Sequence, residues 1–112
     1  MNQGVQAVVY PVSDLNQSKA QFKALLGVEP YADAPYYVGF KVGNQDIGLD
    51  PNGHKWGATP YYQVEDVKET LQAVLDAGAE LVQDVKDVGG GTLTAVVKDS
   101  NGSIIGLRQV PA

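Results

Sequence analysis

Two short segments of this chain repeat one plan. Lys41–Asp50 reads KVGNQDIGLD and Lys98–Gln109 reads KDSNGSIIGLRQ. Each is a strand end, a tight polar turn and a returning strand that carries Ile-Gly-Leu. Ile47-Gly48-Leu49 and Ile105-Gly106-Leu107 stand a little over half a chain length apart in 112 residues. One domain made of two half-length modules is predicted, because two copies are too few for a solenoid and the chain is too short for two independent cores. Module one takes about residues 1–53 and module two about 58–112. Asn101-Gly102 is expected to supply the left-handed backbone of a two-residue hairpin turn, and Gly43-Asn44 to do the same in the earlier copy.

What precedes each hairpin strengthens the repeat. Val5–Val12 is β-branched and aromatic and reads as a strand, with Pro11 at its edge or end. Asp14 then offers an N-cap with Gln17 three residues on. The predicted helix places Leu15, Phe22, Leu25 and Leu26 on one stripe and closes at Gly27. Val28–Pro35 reads as a loop or short strand, and Tyr36–Val42 and Ile47–Leu49 as strands. In the second half Thr59–Val64 is a strand, and Asp66 with Glu69 repeats the capping pattern. Val67, Leu71, Val74 and Leu75 form the next apolar stripe, which Gly78 ends. Glu80–Val88 reads as extended or looped, and Thr92–Lys98 and Ile104–Gln109 as strands. The fold class is α+β: two β-α-β-β(-β) modules, each with one helix covering one face of a small curved sheet and the other face left uncovered by its own helix.

Composition removes several functions. The net charge is −5 with no basic cluster, which argues against nucleic acid and against an anionic membrane surface. No apolar run approaches the roughly 18 residues of a spanning helix. The N-terminus lacks the charged and apolar regions of a signal peptide, so a cytoplasmic location is expected. Without cysteine there is no disulfide, thiolate metal site or cysteine nucleophile. Ser13, Ser18, Ser100 and Ser103 have no histidine arranged to activate them. Gly89-Gly90-Gly91 lacks the Lys and Ser/Thr of a phosphate-binding loop. Asp46, Asp50 and His54 share a spacing that invites a metal, yet they sit on turn segments where such residues ordinarily cap backbone amides.

Val-x-Asp-Leu at Val12–Leu15 with Leu-Leu-Gly at Leu25–Gly27, and Asp-x-Asn-Gly-x-x-Ile-x-Leu at Asp99–Leu107, resemble the glyoxalase/bleomycin-resistance/extradiol-dioxygenase superfamily. The resemblance runs through essentially the whole chain. It implies paired βαβββ modules forming a cup that is completed in a homodimer. In metal-using branches, His, Glu or Gln from the first and last strand of each module hold one divalent ion. Those positions fall here on Ala7, Gly48, Thr59 and Gly106, none of them an ordinary ligand for such an ion. The resemblance therefore implies no metal, no cofactor and no catalytic residue, as in the drug-binding branch, whose members sequester a compound without changing it.

Alternation from those positions turns Val5, Val9, Tyr61 and Gln63 toward the cup, and Val8, Tyr10, Tyr62 and Val64 toward the helices. Ile104 and Arg108 join Gly106. The expected ligand-binding set is Val9, Tyr37, Gly48, Trp56, Thr59, Tyr61, Gln63, Gly106 and Arg108. Trp56, the single tryptophan, provides a flat stacking surface. Gly39, Gly48 and Gly106 are expected to leave room, which favours a bound small aromatic or apolar molecule over a sealed core. Two alternatives remain: a glyoxalase-like lyase, isomerase or dioxygenase-fold enzyme with an atypical site, and a structural or regulatory member of the fold whose cup its own side chains fill.

Overall fold

The computed structural model describes residues 2–52 and 57–111. Its elements run β1 (Val5–Pro11), α1 (Leu15–Leu26), β2 (Ala32–Ala34), β3 (Tyr37–Val42), β4 (Gln45–Asp50), β5 (Thr59–Gln63), α2 (Val67–Asp76), β6 (Glu80–Asp87), β7 (Leu93–Lys98) and β8 (Ile104–Gln109). The fold is α+β, and the strands alternate with helices in the repeated βαβββ order. Two compact units result: Gln6–Thr59, and Pro60 onward together with the N-terminal residues through Val5. Those N-terminal residues join the second unit through the backbone. Gln3 N–H donates to the Gln63 carbonyl and Gln63 N–H to the Gly4 carbonyl, both at 2.9 Å.

Within module one the strand order is β2-β3-β4-β1. The β3 and β4 strands are an antiparallel hairpin, and β1 lies parallel to β4 with Val9 opposite Gly48. Module two has the matching order β6-β7-β8-β5, with β5 parallel to β8 and Tyr61 opposite Gly106. Parallel pairing of first and last strands requires a crossover, and the helix of each module supplies it.

The helices begin and end where side-chain and backbone chemistry satisfies their free groups. Asp14 caps α1 by accepting from the Gln17 N–H (3.0 Å), and Gly27, at φ 72°, donates its N–H to the Lys23 carbonyl. Asp66 caps α2 more fully, accepting from Lys68 and Glu69 N–H (both 3.1 Å). Val67 N–H donates to Gln109 Oε1 (2.8 Å), so the last strand also holds the start of this helix. At the other end Gly78 donates to the Leu75 carbonyl and Ala79 to the Val74 carbonyl, the paired bonds of a Schellman ending.

One face of each sheet packs on its helix. Val38, Phe40 and Leu49 are fully buried beneath Leu15, Phe22 and Leu26, with Tyr10 and Ile47 alongside. Tyr10 and Phe22 rings stand 5.1 Å apart in a tilted contact. Leu25 departs from the expected stripe and is 74% exposed. At 100° per residue it stands roughly 80° from the line through Leu15, Phe22 and Leu26, beyond what a narrow contact can cover. In module two Val67 and Leu71 pack on Val64, Ala95, Val97 and Leu107.

The hairpins differ from expectation in one respect. Asn101 has ordinary negative φ, and only Gly102 is left-handed (φ 86°). Asp99 pairs with Ser103, and Gly102 N–H bonds back to the Asp99 carbonyl. This is a three-residue loop with glycine at its left-handed end. The Asp99 carboxylate stabilises it by accepting from the Asn101 and Ser103 N–H groups, which removes any need for a left-handed asparagine. Gly43-Asn44 does form a two-residue turn between the paired Val42 and Gln45, with Gly43 alone left-handed (φ 58°). The segment read as extended or looped is the strand β6, bulged where its pairing with β7 shifts between Leu81 and Gln83 and again before Lys86.

Asp66→Ala is expected to cost about 1–2 kcal/mol and Asp14→Ala about 1 kcal/mol or less, because Asp66 serves two helix donors and Asp14 one. Urea denaturation of both variants checks the order.

Candidate functional site

The faces turned away from the helices carry the positions of interest. In module one, pairing aligns Val9, Gly48, Gly39 and Ala32 across the sheet, and Ala7, Asp46 and Lys41 in the neighbouring row. In module two the rows are Tyr61, Gly106, Val96 and Gln83, and then Gln63, Arg108, Thr94 and Lys86. The alternation read from the sequence thus sets Tyr61, Gln63, Gly106 and Arg108 on one face, with Val64 and Leu107 on the helix side. Thr59 and Ala7 are both buried. Trp56 and His54 lie outside the described residues, so neither side chain is placed here.

The glycines do not leave open volume. A Cβ built on Gly48 would collide with the Tyr37 hydroxyl and lie 2.7 Å from Tyr37 Cζ. On Gly106 it would collide with the Tyr61 ring, 2.6 Å from Cγ. Tyr31 stands over Gly39 in the same manner, with Cζ 3.1 Å from the missing Cβ. The expected roomier cup is corrected accordingly: in each module tyrosines of that module occupy the space. The reason is geometric. Tyr61 is directly opposite Gly106, and Tyr37 is one strand over and two residues along from the residue facing Gly48, so each ring reaches its glycine across a strand spacing of about 4.8 Å. Tyr61 is 8% exposed and Val96 on the same row 0%.

The residues do not fit a divalent metal. Ala7, Gly48 and Gly106 have no donor atom, and the buried Thr59 hydroxyl donates to the Gly57 carbonyl (3.4 Å). Among the described residues no group of three His, Cys, Asp or Glu side chains converges. Asp46 and Asp50, expected on turns, are both residues of β4, and Asp50 at its end accepts from the Asn52 N–H through Oδ1 (2.8 Å). Asp46 pairs with Lys41 at 3.6 Å, and Lys41 also lies over the Tyr31 ring, 5.5 Å from its centroid. An open cleft in module one, lined by Ser13–Asn16, Lys19 and Asp33–Pro35, is a separate feature. Its charged groups are engaged, Lys19 with Asp33 at 3.1 Å and Asp14 with the helix start.

Sequence reading missed Tyr31 and Lys41 in module one, and Thr94, Val96 and Lys86 in module two, and it weighed Asp46 only as a turn residue in a possible metal spacing, whereas it lies on β4 beside Lys41. Carrying the two-residue alternation from each glycine onto the neighbouring strands would have found most of them.

Two βαβββ modules, each with its first strand parallel to its last, define a class of α+β protein whose relatives are recognisable at low identity. The profile described as Glyoxalase/Bleomycin resistance protein/Dioxygenase superfamily matches residues 4–107, and the chain belongs to that family. A search of curated proteins finds no match. Among solved structures, a hypothetical protein from Bacillus halodurans is 14% identical with TM-score 0.80, the match covering 99% of this chain and 96% of that one. A glyoxalase/bleomycin resistance protein/dioxygenase superfamily member from Vibrio splendidus is 19% identical with TM-score 0.71, over 97% and 99% of the two chains. Methylmalonyl-CoA epimerase from Mycobacterium tuberculosis is 16% identical with TM-score 0.77, over 97% of this chain and 89% of that one. At these identities the likeness is one of fold.

Gly106→Ala is expected to destabilise the protein by about 1–3 kcal/mol, since the added methyl overpacks the Tyr61 ring. In a Tyr61→Ala background the same change should cost at least about 1 kcal/mol less. A double-mutant cycle by urea denaturation measures that difference; additivity would remove the ring–glycine contact.

Proposed function

We propose that this protein is a metal-independent small-molecule-binding member of its family, which holds an aromatic or apolar compound without making or breaking a bond. The observation that carries this reading is the state of the four family ligand positions. Ala7, Gly48, Thr59 and Gly106 offer no metal-binding set, and tyrosine rings cover two of them. Aromatic surface has replaced donor atoms, and aromatic surface holds planar ligands by stacking and by removing apolar area from water. Val9 and Tyr37 in module one, and Tyr61, Gln63 and Arg108 in module two, are the residues each module would bring to such a compound, and Trp56 is the tryptophan whose role the titration below reads. The protein works as a cytoplasmic homodimer, and an antibiotic is one class of compound it would sequester.

A second reading has its own support. Tyr61 and Val96 are nearly inaccessible, which favours a structural or regulatory member whose site is filled by its own side chains. An epimerase or lyase with an atypical site draws support only from the fold shared with enzymes.

Titration of chelator-treated protein with a panel of aromatic natural products, followed by calorimetry and Trp56 fluorescence, separates these readings. Saturable binding at micromolar Kd, about −8 kcal/mol, that is insensitive to chelator and weakened by Tyr61→Ala supports sequestration. Binding or turnover that appears only with added divalent metal overturns it. Silence across the panel favours the filled-site reading.

A further inference from the structure

Asparagine followed by glycine is the dipeptide most prone to lose its side-chain ammonia, because the glycine nitrogen has no side chain beside it to hinder attack. The chain has two such dipeptides, and both residues of the second, Asn101-Gly102, are among those described. Both are exposed, on the loop between β7 and β8. Water therefore reaches the Asn101 amide. What decides the reaction is whether the Gly102 nitrogen can reach it too.

The loop keeps that nitrogen away. Gly102 N–H donates to the Asp99 carbonyl at 3.0 Å, which closes a turn from Asp99 to Gly102. Ser100 and Asn101 both have ordinary negative φ, so the turn is type I, with Asn101 at its second central position and ψ about 0°. Ring closure needs the Asn101 Cβ and the Gly102 nitrogen on the same side of the Cα–C bond, a rotation of about 120° from that ψ. The rotation breaks the Gly102 bond to Asp99. It also works against the Asp99 carboxylate, whose Oδ1 accepts from Asn101 N–H at 2.9 Å and from Ser103 N–H at 2.8 Å. Asp99 thus holds the turn through both its main chain and its side chain.

We infer that Asn101 is a self-modification site whose reaction is gated by the Asp99 turn. While the turn is closed, Asn101 persists. When it opens, the Gly102 nitrogen gives its proton to solvent and attacks the Asn101 Cγ. A C–N bond forms, the side-chain nitrogen takes a proton from solvent and leaves as ammonia, and a succinimide ring results. One water opens the ring, at Cγ to give aspartate or at the main-chain carbonyl to give isoaspartate. Nothing is oxidised or reduced. Isoaspartate carries the chain through the side-chain methylene and so adds an atom to the loop. That loop sets Lys98 opposite Ile104 and, further along, Val96 opposite Gly106. Loop length and strand register are then no longer matched, and each opening that reacts is recorded irreversibly in this hairpin.

The test follows the full chain and the free peptide Lys98–Ile104 at mildly alkaline pH. Peptide mapping locates the isoaspartate, so that Asn52-Gly53 is counted separately. Asn101 is expected to react at least about tenfold more slowly in the chain than in the peptide. Hydrogen exchange at the Gly102 amide should be slowed by the same factor within about threefold, since one opening gates both. Asp99→Ala should speed the reaction at least about fivefold, and Asn101→Gln should remove it. A thermal melt shows whether Asp99→Ala is folded; if it is not, the exchange comparison on the unaltered chain decides. Equal rates in chain and peptide overturn the gate. So does a folded Asp99→Ala chain that reacts no faster, or a Gly102 amide that exchanges freely while Asn101 stays intact.

Discussion

The contact on which this molecule turns is a tyrosine ring laid against a glycine on the free face of a sheet. A strand normally presents a Cβ to that face at every second residue. Where the Cβ is missing, a neighbouring aromatic side chain can approach the backbone itself. Tyr61 does so over Gly106 and Tyr37 over Gly48. Neither glycine has a left-handed backbone, so neither is required for its φ. Both are required for space. Loss of a side chain at one position and gain of a ring at another are therefore one structural event. The result is a face on which tyrosine side chains take up the space over both glycines.

That relation also marks the boundary of what the sequence discloses. The capping residues were readable because each acts locally: Asp14 and Asp66 reach amides two or three residues away. The strands and their faces were readable from alternation, down to Tyr61 and Arg108 sharing a face with Gly106. The consequence of the glycines was not readable. Whether a missing side chain leaves a hole depends on a residue brought alongside by strand pairing, and Tyr61 is far from Gly106 in sequence. Leu25 failed for a related reason. Periodicity gives an angle on the helix, but the width of the buried stripe is set by the sheet beneath. At the Asp99–Ser103 turn a carboxylate supplied the stabilisation expected of a left-handed asparagine, and a different loop resulted.

The two modules solve the same vacancy by different means, and this bears on chemistry. Tyr37 comes from β3, the strand on one side of Gly48, and it is the hydroxyl end that lies over the glycine. Tyr61 comes from β5, on the side of the first strand, and the body of its ring lies over Gly106. Module one therefore sets a phenol tip over its glycine, with the charges of Lys41 and Asp46 opposing each other close by. Module two sets an aromatic ring over its own, beside Arg108 and with no acid in the row. The pairing in module one consumes its charge, because opposite charges a few ångströms apart largely cancel at a distance. In module two the ring over the glycine is itself buried, Tyr61 at 8% exposure and Val96 on the same row at 0%, so the vacancy there is closed by apolar packing.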